Sequence, residues 1–137
     1  MKELLNKTIK QVMVSDDDHI LKFICDDCEI YYVAEGECCS ESWFADIVGY
    51  HALINVTVTS VEEVEVKYAE DERTRQDYDT IYGYKLKTTK GYADIVFRNS
   101  SNGYYGGCAD AYLSSDLDDS SYILESKFLK ITDDWSA

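Results

Sequence analysis

Apolar residues in this chain recur with a period of two, in short runs that stop at turn-forming residues, and that pattern restricts it to a strand-rich fold. Across residues 19–25, Leu21, Phe23 and Cys25 share one face while Ile20, Lys22 and Ile24 share the other. Residues 8–14 read as a strand before it, closed by Ser15-Asp16-Asp17-Asp18. Residues 29–34 follow across the tight Asp26-Asp27 turn, which makes a three-stranded meander. Residues 56–68 carry the longest β-branched run. Its phase changes between Val58 and Val61, so a bulge or break near Ser60 is expected. Residues 82–89 and 92–97 read as two strands across Thr89-Lys90-Gly91. Asn102-Gly103, in a turn over 99–103, predicts a hairpin whose returning strand is 104–113.

Two segments break the pattern. Trp43, Phe44 and Ile47 are spaced three to four apart, which predicts a short helix over 42–48, capped by Ser40 or Ser42 and ended by Gly49. Residues 69–80 form a charged loop, 114–121 an acidic loop, and 122–131 fit neither a helical nor a strand period. About six or seven strands and one or two short helices give an α+β class with a mostly antiparallel sheet. With 137 residues, no proline and no internal linker, residues 1–137 read as a single domain.

Charge narrows the partners. Thirteen basic against 27 acidic residues leave a net charge of −14, a field that repels nucleic-acid backbones and anionic membranes. No run approaches the roughly 18 apolar residues of a membrane span. The N-terminus lacks a long apolar stretch and a cleavage site, and five cysteines are an odd number. Reduced thiols in a cytoplasm are therefore expected, with Asn6, Asn55 and Asn99 left unglycosylated.

Catalytic and metal motifs are thin. Cys25-Asp26-Asp27-Cys28 has the spacing of a zinc half-site, to which Cys38 and Cys39 offer two more thiols, but Cys25 and Cys28 also flank a two-residue hairpin turn and are neighbours on that ground alone. His19 and His51 have no nucleophile or orienting group at a recognisable spacing. The acidic turns 16–18 and 116–119 lack calcium-loop spacing and read as solvated. The expectation is a protein that is not an enzyme and carries no cofactor.

Residues 90–107 are the informative stretch. They concentrate the aromatics Tyr92, Phe97, Tyr104 and Tyr105, the cation Arg98, the amides Asn99 and Asn102, and several glycines. Aromatic faces suit a base and a guanidinium suits a phosphate, so the set fits a nucleotide-like ligand; a plain tyrosine-lined hairpin accounts for the same residues.

Leu4-Leu5-Asn6-Lys7-Thr8-Ile9, the run from Cys38-Cys39-Ser40-Glu41 to Ile47, Lys90-Gly91-Tyr92 with Ile95, and Ser101-Asn102-Gly103-Tyr104-Tyr105 carry a resemblance over residues 4–107. They resemble a family of small uncharacterised domains common in bacteriophages and prophages. That family in turn is similar to the Thoeris anti-defence sponge proteins, which bind cyclic ADP-ribose isomers without converting them. The resemblance implies a viral anti-defence protein in the host bacterial cytoplasm, acting as a dimer or hexamer and sequestering a nucleotide-derived signal, either a cyclic ADP-ribose isomer or a cyclic oligonucleotide. It implies Tyr92 as the stacking aromatic, Asn102 as the amide and Arg98 as a phosphate partner; Phe97, Tyr104 and Tyr105 join the candidate ligand-binding set from the aromatic content of residues 90–107. The alternative is an acidic nucleic-acid mimic that docks on a basic surface of a host defence nuclease.

Overall fold

The computed structural model describes residues 1–36, 40–66, 78–101, 107–118 and 121–137. The sequence alternation becomes strands β1 (Ile9–Ser15), β2 (Ile20–Cys25) and β3 (Glu29–Gly36), which form the expected antiparallel meander. Then come β4 (Glu41–Val48), a one-turn helix α1 (Tyr50–Leu53), and β5 (Val58–Val66), β6 (Tyr78–Thr88) and β7 (Gly91–Ser101). After β8 (Gly107–Leu113) the chain ends in α2 (Tyr122–Glu125), β9 (Phe128–Lys130) and β10 (Trp135–Ser136). Two five-stranded antiparallel sheets result, ordered β8-β3-β2-β1-β9 and β10-β4-β7-β6-β5. The class is therefore all-β, not the α+β that the sequence suggested.

The correction turns on residues 42–48, which are strand, not helix. Ala45 is an extra residue in the β4–β7 register: Phe44 opposes Phe97, Asp46 opposes Val96, and Ile47 opposes Ile95. A bulge inserts one residue and resets the alternation, so Phe44 and Ile47, three apart, both face the core. The same device recurs twice. In β1 the register skips Lys10, and Ile9 and Val12 both point inward. In β5 it skips Thr59, and Val58 and Val61 both pack on the core, close to where the phase change placed a bulge. A spacing of three along a strand with one bulge looks, in sequence, like helical spacing.

The Asn-Gly hairpin is also corrected. β8 pairs with β3, whereas β7 lies between β4 and β6, so the two strands flanking residues 102–106 belong to different sheets. The sheets pack through Phe23, Tyr32, Phe44, Ile47, Ile95 and Phe97, which form one buried cluster.

The C-terminal segment has a covering role. Ile123 of α2, with Leu117 and Phe128, packs on Ile20, Tyr31 and Val33 on the outer face of the first sheet. β9 extends that sheet beside β1, and β10 extends the other beside β4.

Candidate functional site

β6 and β7 pair in full register from Tyr78↔Ser101 to Thr88↔Gly91, so side chains two apart on β6 stand side by side on the inner face. Tyr82 lies opposite Phe97, with ring centroids 4.5 Å apart and planes 10° from parallel. Tyr84 stacks on the same Phe97 at 5.8 Å and 13°. This array walls a recess of about 390 Å³ between the two sheets, with Glu63 and Val64 of β5 on one lip and Gly107 and Cys108 of β8 on the other. That volume lies within the range of roughly 300–1,000 Å³ typical of small-molecule sites. Phe97 is fully buried and Tyr84 nearly so, while Tyr82 is half-buried and offers its ring to a guest.

One end of the recess is polar. The Gly107 N–H donates to Tyr82 Oη at 3.3 Å. Behind Gly107, the Asn99 Nδ2 donates to Ser40 Oγ at 3.0 Å and to Ser42 Oγ at 2.9 Å. A Cβ on Gly107 would collide with Ser42 Oγ and stand 2.9 Å from Asn99 Nδ2, so only glycine lets β8 approach the second sheet this closely. The electrostatics are acidic. Glu63 is exposed, 3.8 Å from the buried N-terminal ammonium, and among the described residues the recess lining includes no lysine or arginine. Burial, then the nearby Glu63, pushes the Tyr84 hydroxyl up to about 12, so this ring stays neutral at physiological pH. Burial lowers the pKa of the N-terminal ammonium against the pull of Glu3 and Glu63.

The structure scatters the residues that the sequence singled out. Phe97 faces inward and supports the recess wall. Tyr92 and Arg98 point to the opposite face of the same strand, six residues or about 20 Å apart. Tyr92 is exposed, with the Lys85 and Lys87 ammoniums 5.3 and 5.9 Å from its ring centre. Arg98 is fully buried, its guanidinium 5.9 Å from the Trp43 ring centre. Tyr92, Phe97 and Arg98 thus do not converge on one ligand. Asn102, Tyr104 and Tyr105 lie outside the described residues, as do Cys38 and Cys39. Sequence reasoning missed Tyr82 and Tyr84. Their signal was the Tyr-Gly-Tyr run at 82–84, which in a strand puts two rings on one face.

Burial pushes the Cys25 thiol up to about 12 and raises that of Cys28, which disfavours the thiolate a metal or redox role needs. The Cys25 N–H donates to the Cys28 carbonyl at 2.8 Å, closing the hairpin turn. His51 Nε2 stands 3.3 Å from Asp133, both well exposed. His19 Nδ1 lies 3.3 Å from Asp17, whose other oxygen accepts from Ser15 Oγ at 2.6 Å. In that trio the carboxylate bridges hydroxyl and imidazole, so the imidazole is not placed on the hydroxyl as a general base must be. Burial opposes ionisation of Asp17, but the hydrogen bonds from Ser15 and the His19 amide prevail and hold its carboxyl below the usual value. No helix among the described residues is long and apolar enough to cross a membrane.

With strands, recess and tail in place, the chain can be set among known proteins. It belongs to the family described as Domain of unknown function (DUF7448), whose model matches residues 2–111. It is similar to an uncharacterised protein of Acanthamoeba polyphaga mimivirus, 32% identical over 111 residues, which cover 76% of this chain and 86% of the viral one. No solved structure matches.

Proposed function

We propose that this protein binds a flat-ring, nucleotide-derived small molecule and holds it unconverted. The observation that carries the reading is the recess between the sheets, walled by the stacked rings of Tyr82, Phe97 and Tyr84. Tyr82 is the contact ring, backed by Phe97. Stacking contributes about 0.5–1.5 kcal/mol beyond the area buried. Burying about 100 Å² of apolar ring adds about 2–3 kcal/mol. A phosphate on such a guest stays at the solvent-open mouth, because the described lining offers it no cation. The net charge of −14 acts on it only within the Debye length, about 8 Å at physiological salt. The resemblance to sponge proteins extends this reading to viral sequestration of a host immune signal such as a cyclic ADP-ribose isomer.

The test is to incubate the full chain with cyclic ADP-ribose isomers and cyclic oligonucleotides, isolate it, heat it, and identify what is released by mass spectrometry. Release of the unchanged molecule is expected, with retention lost in Tyr82→Ala and kept in Tyr82→Phe. A converted product would mean an enzyme. No release would overturn the proposal in favour of an acidic mimic, whose affinity for a basic nuclease surface should fall steeply with added salt.

A further inference from the structure

We infer that the recess selects a ring that carries positive charge: a cationic heteroaromatic, such as an N-alkylated nucleobase, held on the face of Tyr82 with Glu63 as its counter-ion. This inference rests on the proposed recess binding and deepens it by naming the class of ring. Tyr82 and Glu63 both line the recess. Tyr82 is stacked on Phe97 at 4.5 Å and 10°, so one face of its ring is covered and the half-buried ring keeps the other for a guest. The face of a tyrosine ring is the negative end of its quadrupole, and it attracts a cation within about 6 Å of its centre.

The charge balance agrees. The β5–β6 register sets Glu63 opposite Tyr84, the next ring along the wall. Its charge is felt inside: burial, then Glu63, raises the pKa of the Tyr84 hydroxyl. The N-terminal ammonium stands 3.8 Å from Glu63 and 4.0 Å from Glu3, so two carboxylates against one ammonium leave this lip negative. Lys85 and Lys87 follow the recess tyrosines on β6 but project from the opposite face, where their ammoniums lie over the Tyr92 ring. A neutral ring therefore gains only the stacking face, whereas a cationic ring gains the face and the carboxylate together. Glu63 is well exposed, so the pair stays in contact with water and the gain is moderate.

Two isomeric nucleosides test this: 1-methyladenosine, whose ring is protonated and cationic near neutral pH, and N6-methyladenosine, whose ring is neutral. Calorimetric titration of the full chain near neutral pH should show the cationic isomer bound about tenfold more tightly. Glu63→Gln should reduce that ratio to about threefold or less, and so should raising the salt from about 0.05 to about 0.5 M with the unaltered protein, because an exposed pair is screened. Tyr82→Ala should abolish the preference. Equal affinity for the two isomers, or a ratio that persists in Glu63→Gln or at high salt, would overturn the inference and leave the recess standing as a site for neutral rings. A preference that survives Tyr82→Ala would place the cation on the acidic surface at large and overturn it as well. Failure of both nucleosides to bind would overturn the recess reading together with it.

Discussion

Glu35 opposes Cys108 across the β3–β8 pair, and Asp110 lies two residues further along β8 on the same face. The hydrogen bond with Asp110, then burial, then the charge of Asp110, raise the pKa of the Glu35 carboxyl above its ordinary 4.5. A carboxyl whose folded pKa is raised favours folding below the unfolded value and loses that contribution as pH rises through the folded one. Near neutrality the two carboxylates repel. Glu35→Gln should therefore stabilise the protein at pH 7, and the gain should vanish as pH falls toward 4. The group is well solvated, so the gain is a few tenths of a kcal/mol. Urea titrations of both forms at pH 4 and pH 7 would show it; an equal difference at the two pH values would remove the shared proton as its cause.

Elements with unbroken alternation were legible from the residues alone. β2 places Leu21, Phe23 and Cys25 inward as the alternation implies, and β1 and β3 flank it. β4 was not legible, because a bulge at Ala45 puts Phe44 and Ile47 on one face at a spacing that a helix also satisfies. The partition into two sheets was hidden for another reason: Gly36 and Gly107, where β3 and β8 approach the second sheet, carry no mark of that close contact in the sequence. The recess was obscured by the same logic. Phe97 was singled out for its neighbours in sequence, while its actual partners, Tyr82 and Tyr84, come from the adjacent strand. The bulge has a sharp consequence. Deleting Ala45 would leave Phe44 and Ile47 two apart, opposite Phe97 and Ile95 and still on the core face, so the cooperative melt by circular dichroism should survive and fall only modestly. In a helix over 42–48 the same deletion would turn one of the two out of the core at a cost of about 2–5 kcal/mol, so an abolished melt would contradict the strand assignment.

At the scale of the whole molecule, the family match ends at residue 111, yet both sheets gain their last strands from residues 128–136. The tail is acidic and fits no single period, which left its role unreadable. In the structure it sets Ile123 against the outer face of the first sheet and Ile131 into the shared core, both at least 95% buried. β9 covers the edge of β1 and β10 the edge of β4, so one segment protects an edge of each sheet. Exposed edges invite pairing with other chains. Loss of each isoleucine side chain should cost about 2–4 kcal/mol, and together that is comparable with the roughly 5–15 kcal/mol by which a domain is stable. A chain ending at residue 113 should therefore melt far below the full chain or show no cooperative melt, and elute as larger species in size-exclusion chromatography with light scattering. Ile131→Ala alone should lower the melting temperature and keep the native elution, because the edges stay covered. If the shortened chain melted and eluted like the full one, the family domain would hold its sheets together unaided and the tail would be an appendage.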